Sequence, residues 1–356
     1  MNWNLTQKRS SGFTLIELAV VIVLATSMGA MIGPSLKEVR SQGRAMSSEG
    51  NLWTIGQASA MYAMDNDNRI ASYSWRGGET YINLANGTGF IPSSDADAAA
   101  YQARDILYRA TGRTDGSFCI LVPSSRLVHR RYSHLILADY MGSVSERVWV
   151  DPNDFNQAVW QDFPTFYEFV PYGQGQPSSA GYDNSSSWTS SSIKQMWGFG
   201  SSYQTIPHAW MGDSLPSYVP ISDTPHLFLS AGGTPHLGDR YQSEVAFPSS
   251  KVYMFEEFDR ERVGAPYFAY GYTNPAKLMF DGSINTMVTR AANDSVSPIN
   301  FTSGSTWTQR YLPIDKFPVP VGGLGDQTEL NMHYRWTLNG LQGIDYPQPM
   351  PKVFSR

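Results

Sequence analysis

Three acidic residues close together in the chain, Glu256, Glu257 and Asp259, are the first candidates for chemistry. A pair of carboxylates on either side of a sugar bond can hydrolyse a glycoside. Adjacent side chains of a β-strand point to opposite faces of the sheet, however, so Glu256 and Glu257 would not face one substrate. The sequence also contains no G-x-S-x-G, phosphate-binding or H-E-x-x-H motif. We therefore predict that the protein is not an enzyme.

Three of the six histidines, His208, His226 and His236, directly follow a proline. A zinc site needs three or four converging ligands, and cysteine thiolates are frequent among them. The spacing of these histidines fits no such site, and the chain has a single cysteine, Cys119. We interpret the three as loop residues, and their role stays open. The lone cysteine also excludes a disulfide within the chain.

The sequence Asp-Asn-Asp-Asn at 65–68 offers oxygen ligands of the kind that calcium prefers. It lacks the glycine and the distal glutamate of an EF-hand loop. Two interpretations follow: a weak calcium site at Asp65 and Asp67, or a polar turn that ends a helix. The turn is favoured, because Asp and Asn are common turn residues. We predict no cofactor, with calcium as the alternative.

The composition narrows the class of protein. The chain has 356 residues, a net charge of −5, 41% hydrophobic residues and only 16% charged residues. This excludes a disordered polyelectrolyte, and it argues against nucleic-acid binding, which usually requires a basic surface. The chain contains 10 Trp, 20 Tyr, 17 Phe, 31 Gly and 22 Pro. Such a mixture favours short strands joined by turns. The aromatic residues would form the core of the sheets or a carbohydrate-binding platform, and core packing is favoured.

An apolar segment at 13–36 contains 24 residues and one charge, Glu17. A helix of this length spans the ~30 Å hydrocarbon core of a membrane. A carboxylate inside such a segment costs at least ~2.5 kcal/mol, so Glu17 is a functional candidate. Pro34 removes one backbone hydrogen bond and predicts a kink. Beyond it, an amphipathic pattern extends the helix to about residue 66.

The sequence Gly-Phe-Thr-Leu-Ile-Glu at 12–17, behind a short basic leader, resembles the processing site of type IV pilins and type II secretion pseudopilins. The resemblance implies that a prepilin peptidase cuts after Gly12 and methylates the new N-terminus, Phe13. It also implies that the carboxylate of Glu17 pairs with the α-ammonium of a neighbouring subunit in a filament. The alternative for Glu17 is a charge at the membrane edge that reaches water.

A narrower resemblance links residues 51–66 to a large group of pilin-like proteins abundant in planctomycetes and verrucomicrobia. The chain departs from that group at two positions. Gly271 stands ten residues before Asp281, where the group has a histidine, and Asp151 precedes Pro152, where the group commonly has a cysteine. Any property of the group that depends on that histidine or cysteine does not extend to this chain.

These observations predict an α+β, pilin-like fold. The predicted domains are a cleaved leader at 1–12, a helix at 13–66 that spans the membrane over 13–36, and a β-rich globular domain at 67–356. A polar, serine-rich stretch at 178–192 predicts a surface loop or hinge. Short apolar runs predict strands at 118–122, 148–150 and 251–255, and Asp-Gly predicts a hairpin turn within 280–283.

The resemblance implies a structural subunit of a type IV pilin-like filament. A type II secretion pseudopilin is the first choice, and a pilus or adhesive minor subunit is the second. The alternative from another class is a membrane-tethered or filament-tip protein that binds carbohydrate and uses the pilin helix for export. The implied partners are other filament subunits, prepilin peptidase and the inner-membrane assembly platform. The implied location is the bacterial inner membrane before assembly, with the globular domain periplasmic or extracellular.

Overall fold

The computed structural model describes residues 14–84, 86–112, 128–142, 147–154, 199–213, 218–221, 228–231, 236–262, 266–298, 304–311 and 328–347. Four of the sequence-based predictions lie outside these residues: the cleavage site at Gly12 and Phe13, the hinge at 178–192, the strand at 118–122 and any role of His226. The chain divides into two compact units, Met1–Arg44 and Ala45–Arg356.

The first element is the helix α1, Leu15–Asp65. Its N-terminal part consists mostly of large aliphatic residues that no other described element covers, whereas the part within the second unit is amphipathic and buries Leu52, Ile55 and Ala58. The helix ends at the Asp-Asn-Asp-Asn sequence, where Asp67 has a φ of 52°. Short polar side chains tolerate this left-handed conformation, so the backbone can leave the helix there. Within the described residues, no helix combines the length and the apolar character that crossing a membrane requires.

A second long helix, α2, covers Asp95–Thr111. Ser94 precedes it and accepts a hydrogen bond from the backbone N–H of Asp97, and Gly112 follows it with a left-handed φ of 68°. These are the usual N-terminal and C-terminal capping residues of a helix. The helix α2 was not predicted from the sequence. Two single-turn helices follow, α3 at Val128–Arg131 and α4 at Ala138–Met141.

Four antiparallel strands form the largest sheet among the described residues, in the order β3–β6–β7–β8. They are β3 at Tyr203–Thr205, β6 at Val252–Glu256, β7 at Lys277–Met279 and β8 at Ile284–Asn285. The strand predicted at 251–255 is therefore present as β6. The predicted hairpin turn is also present, because β7 and β8 pair across a loop in which Gly282 has a φ of 84°.

In the described part of the chain, three further strand pairs are antiparallel and separate from this sheet. Their members are β1 at Tyr81–Ile82 with β2 at Gly89–Phe90, β4 at Tyr218–Ile221 with β5 at Phe228–Ala231, and β9 at Thr308–Tyr311 with β10 at Thr328–Asn331. Together with the helices they confirm the α+β class. The strands are short, with two to five residues each.

The strand predicted at 148–150 is wrong. This stretch forms a turn of 3-10 helix, Arg147–Trp149, which leads into the turn around Asp151. Three consecutive apolar residues indicate that a stretch is buried, but they do not determine its backbone conformation. Here the run is apolar because Trp149 is fully buried in the core from a turn, not because it belongs to a sheet.

The main core lies between the second half of α1 and the four-stranded sheet. Leu52 and Ile55 of α1 belong to the same buried cluster as Phe255 and Leu278 of β6 and β7. Gly56 allows the closest approach, because a Cβ atom at that position would lie 2.9 Å from Leu278 Cδ1. A smaller core forms where α2 packs against α3 and the turn after it.

Candidate functional site

Glu17 stands in the first turn of α1 and closes the start of the helix. Its Oε2 atom accepts hydrogen bonds from the backbone N–H of Thr14 at 2.8 Å and from Thr14 Oγ1 at 2.9 Å. In return, Thr14 Oγ1 accepts a bond from the backbone N–H of Glu17 at 3.3 Å. This reciprocal arrangement is a capping box, which satisfies N–H groups that a helix leaves without a partner. The carboxylate also lies at the positive end of the helix dipole.

The side chains around Glu17 form an apolar surface on all sides of the helix. We call residues 14–24 the assembly segment. Its large aliphatic residues are between 51% and 86% exposed: Leu15, Ile16, Leu18, Val20, Val21, Ile22, Val23 and Leu24. A helix that is apolar all round is typical of a segment covered by lipid or by other protein. The assembly segment therefore requires a covering that the described part of the chain does not supply.

Position 34 is helical, since α1 extends without interruption from Leu15 to Asp65. A full break of the helix at Pro34 is therefore not observed, and the kink stays a prediction.

A buried polar cluster fixes the second half of α1 to the sheet. Ser48 Oγ donates a hydrogen bond to Glu256 Oε1 and is hydrogen-bonded to the hydroxyl of Tyr203 at 2.9 Å. Asn51 Nδ2 donates to the carbonyl of Val150 at 3.1 Å. The two bonds of Ser48 join α1 to β3 and β6 through side chains that are almost fully buried. Buried polar groups that find partners in this way specify one packing arrangement.

Burial is the main cause that raises the pKa of Glu256 well above its usual value, and the nearby charge of Asp151 adds to it. The hydrogen bond from Ser48 and the charge of Arg260 oppose this rise. Arg260 Nη2 also lies 2.6 Å from Asp154 Oδ2, so the positive charge of Arg260 acts on Asp154 as well as on Glu256. Burial therefore shifts Glu256 towards its protonated form, and the residue acts as a hydrogen-bonding group between α1 and the sheet.

The three acidic residues considered for hydrolysis are all buried. The carboxylate of Asp259 accepts hydrogen bonds from the backbone N–H of Asn274 at 2.9 Å and from Arg262 Nε at 3.0 Å. Glu256 is bonded to Ser48, as described above. Their carboxylates face the protein interior instead of a cleft that a polysaccharide could enter. Their burial gives no support to the catalytic role that was considered for these carboxylates from the sequence and was not favoured.

The histidines occupy unlike environments. His208 is buried, and burial together with the charges of Lys251 and Arg240 lowers its pKa well below the usual value. The side chain of His236 is 87% exposed, and its Nδ1 lies 3.4 Å from Asp95 Oδ2. In the part of the chain that the structure describes, no three His, Cys, Asp or Glu residues are grouped so that they could hold a metal ion.

Asp65 is the last residue of α1, and Asp67 follows it in a left-handed turn. This geometry is that of the helix-ending turn. The calcium site at Asp65 and Asp67 stays a prediction, because the geometry of the turn alone adds no further oxygen ligand for the ion.

Residues 7–33 match the prokaryotic N-terminal methylation motif, the signature of prepilin-type processing. The chain is also similar to the type II secretion system core protein G of Pseudomonas aeruginosa, with 33% identity over 60 residues. That alignment covers 17% of this chain and 42% of the relative, so the chain spans less than half of the relative's length. No solved structure matches the chain significantly. These findings confirm the predicted resemblance to type IV pilins and pseudopilins, whereas the narrower resemblance of residues 51–66 stays a prediction.

Proposed function

We propose that this protein is a structural subunit of a type IV pilin-like filament, with a type II secretion pseudopilin as the preferred member of that class. The observation that carries the proposal is the coincidence of two features at one place. The methylation motif at residues 7–33 overlaps the assembly segment, whose aliphatic residues are exposed on every side of α1. In this proposal the protein is not an enzyme, and its work is assembly.

The proposed route begins at the inner membrane. The apolar segment at 13–36 is inserted as a single span, with the basic leader on the cytoplasmic side and the globular part outside the cytoplasm. Prepilin peptidase then cuts after Gly12 and methylates Phe13. The membrane platform transfers the processed subunit into the filament, where the assembly segments of neighbouring subunits cover one another.

Glu17 supplies the pairing charge in this proposal. Both hydrogen bonds from Thr14 go to its Oε2 atom. The second carboxylate oxygen, Oε1, accepts no hydrogen bond within the described residues and is open to an ammonium group from another subunit. The cap therefore holds the carboxylate in place while leaving one oxygen for the α-ammonium of Phe13 in the neighbour.

Variants of Glu17 test the proposal through the ratio of sheared filament to membrane pool at equal expression. Glu17→Ala removes both the cap and the charge, whereas Glu17→Gln keeps a carbonyl oxygen for Thr14 and removes only the charge. We expect both variants to lose filament, because leaving one buried ion without its partner costs ~3–5 kcal/mol, or about two to four decades in each docking step. Glu17→Asp should retain part of the filament.

Glu38→Gln is the matched control, because Glu38 is an exposed acid on the same helix. It should leave the filament ratio unchanged. Filament at the wild-type level from Glu17→Gln would show that the charge is not used in assembly. In that case Glu17 would serve only as a helix cap.

A further inference from the structure

A shallow depression lies beside the hairpin β1–β2 and the helix α2. It is open to solvent, and its lining includes the aromatic side chains of Trp75, Phe90, Tyr101 and Tyr108 together with Arg104 and Asp105. Neither the proposed assembly nor the core packing of the sheet uses this surface. It lies wholly within the second compact unit.

The aromatic walls of the depression are held in fixed positions. Trp75 stacks on Tyr81 with ring centres 4.1 Å apart and an angle of 6° between the planes. The hydroxyl of Tyr81 accepts a hydrogen bond from the backbone N–H of Arg76 at 2.7 Å and donates one to Glu79 at 2.8 Å. Phe90 of β2 packs on Tyr101 of α2 at 4.5 Å. Rings fixed in this way bind a flat ligand face without first losing conformational freedom.

One cation at the depression, Arg104, has no acidic partner among the described residues. The guanidinium group of Arg104 lies over the rings of Tyr101 at 5.0 Å and Tyr108 at 5.2 Å, and it forms no ion pair with any described residue. The neighbouring acid, Asp105, is instead paired with Arg109 at 2.7 Å. A half-buried guanidinium that rests on aromatic rings presents its planar fork to an incoming carboxylate.

The size of the depression limits what it can hold. The depression is shallow and open to solvent, so it cannot enclose a whole small molecule as a pocket of about 300 Å³ does. The depression therefore suits one ring of a longer, extended ligand. Aromatic walls match the C–H faces of a pyranose ring, and the guanidinium group of Arg104 matches a carboxylate.

We propose that this depression binds an acidic polysaccharide, with one uronate ring against the aromatic walls and its carboxylate on Arg104. The proposal is independent of filament assembly, since the residues that carry it lie outside the assembly segment. It gives the globular part a binding activity for the anionic sugars of cell walls, capsules or matrices. An apolar peptide with a free carboxylate is the competing occupant, and the experiment includes it.

The test is isothermal titration of the full chain in detergent micelles. The probes are the α-1,4-linked hexamer of galacturonate, the neutral hexamer of α-1,4-linked glucose, and an apolar hexapeptide with a free C-terminal carboxylate. We expect the uronate hexamer to bind at least tenfold more tightly than either of the others. Its affinity should fall as salt rises, because a partly exposed ion pair is screened.

Arg104→Met should weaken uronate binding at least tenfold, and Arg104→Lys should weaken it less, because the charge remains while the planar fork is lost. Arg290→Met is the matched control, since Arg290 is an exposed arginine away from the depression, and it should bind like the wild type. Melting curves of all three variants accompany the titrations.

The proposal is overturned if the wild type does not bind the uronate, if the neutral hexamer or the peptide binds as tightly, or if Arg104→Lys with an unchanged melting curve binds like the wild type. Equal losses in the Arg104 and Arg290 variants would also overturn it, because they would indicate attraction by net charge alone.

Discussion

At the scale of single residues, the carboxylate of Glu17 caps the start of α1 and lies within an apolar run of the chain. Its position inside an apolar run identified it as a functional candidate. Its bonds to Thr14 were not predicted, although the Thr-x-x-Glu spacing is the signature of a capping box. This spacing is present in the sequence, but the apolar context and the family resemblance predict a role only for the charge of Glu17.

The burial of His129 predicts that acid lowers the stability of the fold. Its ring is buried and stacks on Trp210 with centres 4.1 Å apart, and burial lowers its pKa to about 3. An unfolded chain would protonate this residue near its usual pKa of about 6.5. Between these values only the unfolded state takes up the proton, so the stability of the fold is lost as pH falls through this window, by about 1.4 kcal/mol per unit.

Replacing His129 with Phe keeps an aromatic ring on Trp210 and removes the titration. Acidification from pH 7 to 5 should then cost the wild type about 2 kcal/mol more than the variant. The measurement is urea unfolding of the chain in detergent at both pH values. Met64→Leu serves as the control, because this side chain is 85% exposed and has no titratable group, so the pH dependence of the variant should equal that of the wild type. Parallel curves for wild type and His129→Phe would contradict the assignment.

At the scale of elements, the helices, strands and turns with a strong local sequence pattern could be predicted. The apolar and amphipathic periods of α1, the run that forms β6 and the Asp-Gly turn between β7 and β8 were all recognisable. The helix α2 was missed because its buried face consists largely of alanine, including Ala99, Ala100 and Ala103. Small residues give a weak amphipathic signal, and only the smaller core around α2 shows that this face is buried.

Two glycines in different elements should respond to alanine with opposite signs. Gly282 has a φ of 84° in the β7–β8 turn, where an L-residue with a side chain is strained by ~1–2 kcal/mol. Gly50 lies in α1, with open space around the position of a Cβ atom, and alanine favours a helix over glycine by ~1 kcal/mol. We expect Gly282→Ala to lower and Gly50→Ala to raise the free energy of unfolding. Changes of the same sign in urea titrations would contradict this account of the two backbones.

At the scale of the whole molecule, the fold class followed from composition, but the long-range contacts did not. Lys251 Nζ lies 3.2 Å from Asp345 Oδ1, and both side chains are almost fully buried. The two residues are 94 positions apart, and neither has a neighbour in sequence that suggests the pair. The same holds for Ser48 and Glu256, whose bond joins α1 to the sheet. Such pairs result from tertiary packing, which local patterns do not encode.

The central claim is that the chain is processed as a prepilin and becomes part of a filament. The most direct test is N-terminal mass spectrometry of the chain recovered from sheared surface filaments of cells that also contain prepilin peptidase. We predict a first residue of N-methylated Phe13 in the filament fraction, and no filament from Gly12→Val, whose larger side chain should block cleavage. A chain that begins at Met1 or near Ala30, or that never enters the filament fraction, would contradict the claim.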